Sequence, residues 1–225
     1  MSSRIIFLMR FFLACLLTTS MACSSEEPVA PEIQGPGAAS LLRTAWSQFE
    51  AKNYEGALDF FDQALAKEPD SFDAHLGRGW SLLKSSTSIS AMEQAKLAFD
   101  QALALETADN DAIGGRAAAR LSIGGTGIVG AVEDVGVILQ NDPAYEFRHG
   151  TTFNHIALRL LLAQAQAELG NYDSALLALD GIYVSGIIAE NSNTWVVEGL
   201  IEGSFGAAVI SHLDRVERLW VGGDL

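Results

Sequence analysis

Two stretches of this chain nearly repeat each other. "KNYEGALDFF" runs from Lys52 to Phe61 and "GNYDSALLAL" from Gly170 to Leu179, so that Asn53 and Asn171 stand 118 residues apart. Each has an Asn suited to a turn, then Tyr, two variable residues, Ala and an apolar run. Recurrence of this kind constrains the fold strongly, because a repeated unit cannot bury its apolar face alone and must stack on its neighbours. A shorter echo supports it: Leu42, Trp46 and Ser47 recur as Leu76, Trp80 and Ser81, each 34 residues later. From Ala38 onward the apolar spacing is helical. Only 5 prolines interrupt a chain that is 49% hydrophobic, which favours helix and argues against disorder.

The first unit continues through Tyr54, Ala57, Phe61, Ala64 and Pro69. This pattern resembles a tetratricopeptide repeat. The resemblance implies two antiparallel helices per unit, a small residue where they cross, an alanine with a large apolar residue four positions later on the second helix, and a closing proline. The small crossing residue then falls at Ala45, Gly79, Ala117 and Ala163. The second-helix pair falls at Ala57/Phe61, Ala95/Phe99, Ala131/Val135 and Ala175/Leu179. Pro69 and Pro143 close units one and three, while Thr107 and Ile187 stand in the other two places. Helices packed 8–10 Å apart leave little room for a bulky side chain at the crossing.

The second-helix alanines are 38, 36 and 44 residues apart, so every interval exceeds 34. The extra residues are expected in "KSSTSIS" (84–90), "SIGGTGIVG" (122–130) and "AYEFRHGTT" (144–152). Beyond unit four, "GSFGAA" (203–208) echoes "GNYDSA", and the helix after it places Val209, Leu213, Val216 and Trp220 on one face. Two readings stand for this end: a fifth, degenerate repeat, or a capping helix that seals the last apolar face. The expected fold is all-α, a short right-handed α-solenoid of about four helix-turn-helix units with a C-terminal cap. Residues 38–186 are the repeats and 187–225 the terminal element.

The N-terminus reads as an address. Residues 1–22 carry Arg4 and Arg10, no acid, and the apolar run "FFLACLL", as a secretory signal does. "SMAC" before Ser24 resembles a bacterial lipobox with Ser20 in place of the usual leucine, and Ser20-x-Ala22 also suits ordinary cleavage. Cys15 would leave with the signal, so Cys23 would be the only cysteine of the mature chain. A lone exposed thiol is a liability in an oxidising compartment, whereas a lipidated one anchors the protein. The lipobox resemblance implies acylation at Cys23 and a place in the bacterial cell envelope, at the outer membrane or on the periplasmic face. Two or more acyl chains would hold it there stably. Residues 23–37, rich in Ser, Glu, Pro and Gly, read as a flexible linker.

Charge narrows the partners. The whole chain has a net charge of −14, and without the two signal arginines it would carry 28 acids against 12 bases. Such a field repels phosphates, so no nucleic-acid partner is expected. "GTGIVG" (125–130) has the letters of a dinucleotide fingerprint, which requires a preceding strand; "DAIGGRAAARLSI" before it reads as helix. A small-molecule or nucleotide binder, or an enzyme, using the glycine-rich 124–130 turn is the alternative function. His75, His149, His155 and His212 contain no i, i+4 pair and have no cysteine beside them, so no metal site is expected. Ser204 has glycines on both sides at the wrong spacing for a nucleophile elbow. The acid pairs Asp59/Asp62 and Glu133/Asp134 are expected on solvated helix faces. No catalytic residue and no cofactor is expected.

The resemblance implies that the first helix of each unit lines a concave wall. Leu42, Trp46 and Phe49 of unit one, Leu76, Trp80, Leu83 and Lys84 of unit two, and Gln164 with Glu168 of unit four would then form a partner-binding groove. Trp46 and Trp80 admit two placements, as groove anchors or as core between neighbouring helices, because tryptophan serves both purposes. The expected function is protein–protein adaptation by a membrane-anchored lipoprotein, with an unidentified envelope protein or peptide as partner.

Overall fold

The computed structural model describes residues 35–150, 152–182, 196–197 and 200–222. Within them the chain is all-α, built of consecutive helix pairs. The helices are α1 (Ala38–Glu50), α2 (Tyr54–Lys67), α3 (Phe72–Ser85), α4 (Ile89–Leu105), α5 (Asn110–Ile123), α6 (Gly127–Asn141), α7 (His155–Glu168), α8 (Tyr172–Asp180) and α9 (Phe205–Gly222). Each helix from α1 to α8 packs on the next, and the first helices of successive units also touch: α1 on α3, α3 on α5, α5 on α7. This is an α-solenoid. Residues 1–34, on which the expected signal segment, Cys23 and most of the expected linker fall, lie outside the described residues, as do Gly186 and Ile187.

The repeat register is visible in the core. Ala45, Ala117, Ala163, Ala57, Ala95, Ala131 and Ala175 are fully buried, as are Phe61, Phe99, Val135 and Leu179. The aromatic of one second helix fills the space left by glycine on a neighbouring first helix. A Cβ on Gly77 would lie 2.0 Å from Phe61 Cζ, and one on Gly115 would lie 2.2 Å from Phe99 Cζ. Large and small residues thus interlock across units, which fixes their stacking distance.

The two stretches that repeat in sequence also repeat in hydrogen bonds. Asn53 Nδ2 donates to Gln48 Oε1 at 2.7 Å, and Asn171 Nδ2 donates to Gln166 Oε1 at 2.9 Å. The Asn53 and Asn171 amides donate to the carbonyls of the same glutamines. Before each Asn the backbone turns left-handed, at Lys52 with φ 62° and at Gly170 with φ 77°. Side-chain caps start α3, α4, α5 and α7. Ser71, Ser88 and Asp109 accept from the amides of Ala74, Ala91 and Ala112, and Asn154 accepts from Ile156 and Ala157.

The extra residues are distributed differently from the sequence expectation. Only Ser86–Ser88 and Gly124–Thr126 remain between helices in units two and three. The rest of "KSSTSIS" and "SIGGTGIVG" extends the flanking helices, α4 reaching 17 residues. The segment 144–154 is the true insertion. At the C-terminal end α9 packs on both α7 and α8, burying Val209, Leu213 and Val216. Ahead of it lies a two-residue antiparallel strand pair, β1 (Val196–Val197) with β2 (Leu200–Ile201). No helix among the described residues is long and apolar enough to cross a membrane.

Candidate functional site

The first helices of units one to three form a wall, and the insertion between units three and four lies on it. The segment folds back on itself. The Phe147 amide donates to the Phe153 carbonyl, the His155 amide donates to the Tyr145 carbonyl at 2.7 Å, and Glu146 pairs with Asn154 in an antiparallel bridge. Alternation along the extended arm then sends Tyr145, Phe147 and His149 toward the helices while Glu146 and Arg148 stay exposed.

His149, Phe147 and Phe153 each meet a ring of the wall, while Tyr145 packs edge-on against Phe153. His149 lies flat on Trp46, centroids 3.5 Å apart and planes 6° apart. Phe147 packs on Trp80 at 4.4 Å and reaches Phe49 at 6.1 Å, and Phe153 meets Trp80 edge-on at 4.7 Å. A Cβ on Gly114 of α5 would lie 2.9 Å from Phe153 Cε1, so that glycine makes room for the segment.

Acids at the helix ends hold the bases of the segment. Arg148 bonds both Asp109 and Asp111 at the start of α5. The Tyr145 hydroxyl donates to Asp111 Oδ1 at 2.7 Å. Burial raises the pKa of Asp111, opposed by the Tyr145 hydrogen bond and the Arg148 charge. The Tyr145 hydroxyl is also pushed up, by burial and then by the Asp111 charge, so it stays a donor. His149 Nδ1 faces Glu50 Oε1 at 3.5 Å; burial lowers its pKa and Glu50 raises it in part.

This arrangement corrects the expected groove. Trp46, Phe49, Leu76 and Trp80 are buried, with Trp80 only 1% exposed. Trp46 packs on Phe61 and Trp80 on Phe99 within the array, while Phe147, His149 and Phe153 of the insertion lie over the tryptophans. Of the two placements open for the tryptophans, the structure takes the core. The residues that still reach the surface do not share one groove. Leu42 lies beside Trp46 in a cleft of ≈ 510 Å³ with Arg43, Glu50, Asp73 and His149. Leu83 and Lys84 edge a separate pocket of ≈ 280 Å³ with Trp80, Thr87, Ser122 and Phe153, where desolvation lowers the Lys84 pKa. Gln164 and Glu168 line a third depression against α9, with Ile210 and Leu213.

Other expectations separate in the same way. Asp59, Asp62 and Glu133 are exposed, but Asp134 is buried, which corrects its expected solvation. Arg116 makes two bonds to it, at 2.7 and 3.0 Å, and Arg120 a third at 2.7 Å. The glycine-rich stretch Gly124–Gly130 is the short α5–α6 turn and the first residues of α6, with α5 where a nucleotide fingerprint requires a strand. Its interior is filled by Arg120, whose guanidinium donates to the Gly130 carbonyl at 3.0 Å. Among the described residues no three His, Cys, Asp or Glu come together as a metal cluster.

Sequence reasoning missed Tyr145, Phe147, Arg148 and Phe153 as parts of this surface, and Asp109 and Asp111 as their anchors. One signal was present: "YEFRH" (145–149) alternates ring and charge with a period of two, the mark of an extended arm with one buried face.

Residues 39–71 match the family model described as Tetratricopeptide repeat, covering α1, α2 and the turn into α3. No curated protein matches the chain.

Proposed function

We propose that this chain is a membrane-anchored adaptor of the bacterial cell envelope, lipidated at Cys23, that binds a protein or peptide through its repeat array. The observation that carries the reading is the array itself. A helix-pair solenoid whose first unit matches the tetratricopeptide repeat is typically a scaffold for protein–protein interaction. The first helices of units one and two, α1 and α3, carry the rings Trp46, Phe49 and Trp80 beneath the 144–154 segment, with carboxylates at the edges, and a wall of that chemistry suits a peptide carrying rings and positive charge. The anchor rests on the "SMAC" motif and on Cys23 as the sole cysteine of the mature chain. The outer membrane or the periplasmic face is its proposed location.

Two measurements test the reading. Cys23→Ala should release the protein from the membrane fraction with its helicity unchanged, and metabolic labelling with a fatty acid should mark the wild type but not the variant. Crosslinking in native membranes followed by mass spectrometry should return one recurrent protein. A wild-type chain that takes no lipid and stays in the soluble periplasmic fraction contradicts the anchor. Crosslinking that returns only abundant envelope proteins contradicts the adaptor.

A further inference from the structure

We propose that the segment 144–154 is an internal occupant of the peptide-binding wall of α1, α3 and α5, and that the protein's partner is an extended segment bearing aromatic and basic side chains that takes its place. This rests on the adaptor reading above and specifies the ligand class of the same surface.

Three observations carry it. First, the segment is hydrogen-bonded to itself: the Phe147–Phe153, His155–Tyr145 and Gly150–Phe147 backbone bonds all lie within residues 145–155. Among the described residues no backbone bond joins it to α1, α3 or α5, so lifting it from the wall leaves the backbone bonds of those three helices intact. Second, the contacts are those of a ligand. Rings enter between the wall rings Trp46, Phe49 and Trp80, and Arg148 and His149 meet the carboxylates of Asp109, Asp111 and Glu50. In a chain of net charge −14 this cluster selects a basic segment.

Third, the fit is incomplete. The indole nitrogens Trp46 Nε1 and Trp80 Nε1 are buried and have no hydrogen-bond partner among the described residues. A buried donor without an acceptor is costly, and these two belong to successive units one repeat apart. An extended partner backbone whose carbonyls accept from both indoles would satisfy what the internal segment leaves unpaired. That gives an incoming peptide an advantage over the occupant it displaces.

The first test is amide hydrogen exchange on the purified full-length protein. The Phe147 and His155 amides should exchange at least about 100-fold faster than the helical amides of Phe61 and Phe99, through an opening that leaves the helices closed. Exchange of all four at one rate, through global unfolding, would overturn the proposal. The second test uses a synthetic peptide of residues 143–154, fluorescein-labelled and followed by anisotropy. A chain carrying Arg148→Ala and His149→Ala, with helical circular dichroism retained, should bind it saturably, at least about tenfold tighter than wild type does. The same peptide with Phe147→Ala should bind at least about tenfold more weakly. A folded variant that ignores the peptide, or does not distinguish the two peptides, would overturn the proposal. If the variant does not fold, exchange in the wild type decides alone. Both tests use purified protein, so their outcome is independent of whether crosslinking in membranes yields a partner.

Discussion

The imidazole of His149 lies on the indole of Trp46, with ring planes 6° apart and centroids at 3.5 Å. One residue belongs to the first helix of the first repeat, the other to an insertion about a hundred positions later. Their stacking brings the far end of the insertion onto unit one, so three repeats share a single cover. Truncating either ring should destabilise, and a double-mutant cycle of Trp46→Ala with His149→Ala, read by chemical denaturation, should give a coupling of about 0.5–1.5 kcal/mol. Additive losses would mean that the stack contributes nothing beyond burial.

The same imidazole makes stability depend on pH. Burial lowers the His149 pKa below its ordinary 6.5, and Glu50 offsets part of that. The groups around it are Arg43 and Glu50 of α1, Asp73 of α3, Asp111 of α5 and Arg148 of its own segment. With its folded pKa depressed, the native state holds fewer protons than the unfolded chain. The contribution is therefore intact above about pH 6.5 and is lost as pH falls through the lower folded value. His212 shifts in the same direction through burial, so the wild type needs a reference. Between about pH 7.5 and 5.5 the Tm of wild type should fall more than that of His149→Gln. Equal falls would assign the whole effect to other groups.

Glycines in the array separate into those that admit a neighbour and those that admit nothing. Gly77→Ala places a Cβ 2.0 Å from Phe61 Cζ and should cost about 1–3 kcal/mol through overpacking. At Gly136, within α6, an added Cβ would meet nothing within 4 Å, so Gly136→Ala should stabilise by about 0.5–1 kcal/mol through helix propensity. Denaturant titration of the two variants should give opposite signs. A neutral Gly77→Ala would contradict the interlock of units one and two.

The paired turns make a sharper comparison. Lys52 and Gly170 occupy the same place in their units, both left-handed. The penalty of about 1–2 kcal/mol for an L-residue there exceeds the entropic cost of about 0.5–1 kcal/mol for glycine. Lys52→Gly should therefore stabilise by roughly 0.5 kcal/mol, and Gly170→Lys should destabilise by a similar amount. Thermal melting of both variants checks the sign. Two shifts in the same direction would contradict the equivalence of the two turns.

The repeats were legible because their restraints are local and periodic. A small residue must stand at each crossing, and an alanine with a bulky residue four positions on must face the neighbouring helix, so Ala45, Ala57 and Phe61 predict Ala163, Ala175 and Leu179. The cover was not legible, because what decides it is long-range. Nothing near Trp46 in the sequence indicates that His149 will lie on it, and a 34-residue recurrence looks the same whether its tryptophans face a partner or the chain's own insertion. Asp134 was misplaced for the same reason: its burial follows from Arg116 and Arg120 on the preceding helix, outside any pattern of its own helix face.

The central claim is that the α1–α3–α5 wall, once uncovered, is where the partner binds, and photocrosslinking at two positions tests it most directly. In native membranes, a photoreactive phenylalanine replaces Leu42, at the cleft beside Trp46, or Asp59, on the exposed face of α2. The account predicts a discrete adduct from position 42 that added 143–154 peptide suppresses, and none from position 59. An adduct from position 59 but not 42, or one from position 42 that the peptide leaves unchanged, would contradict it.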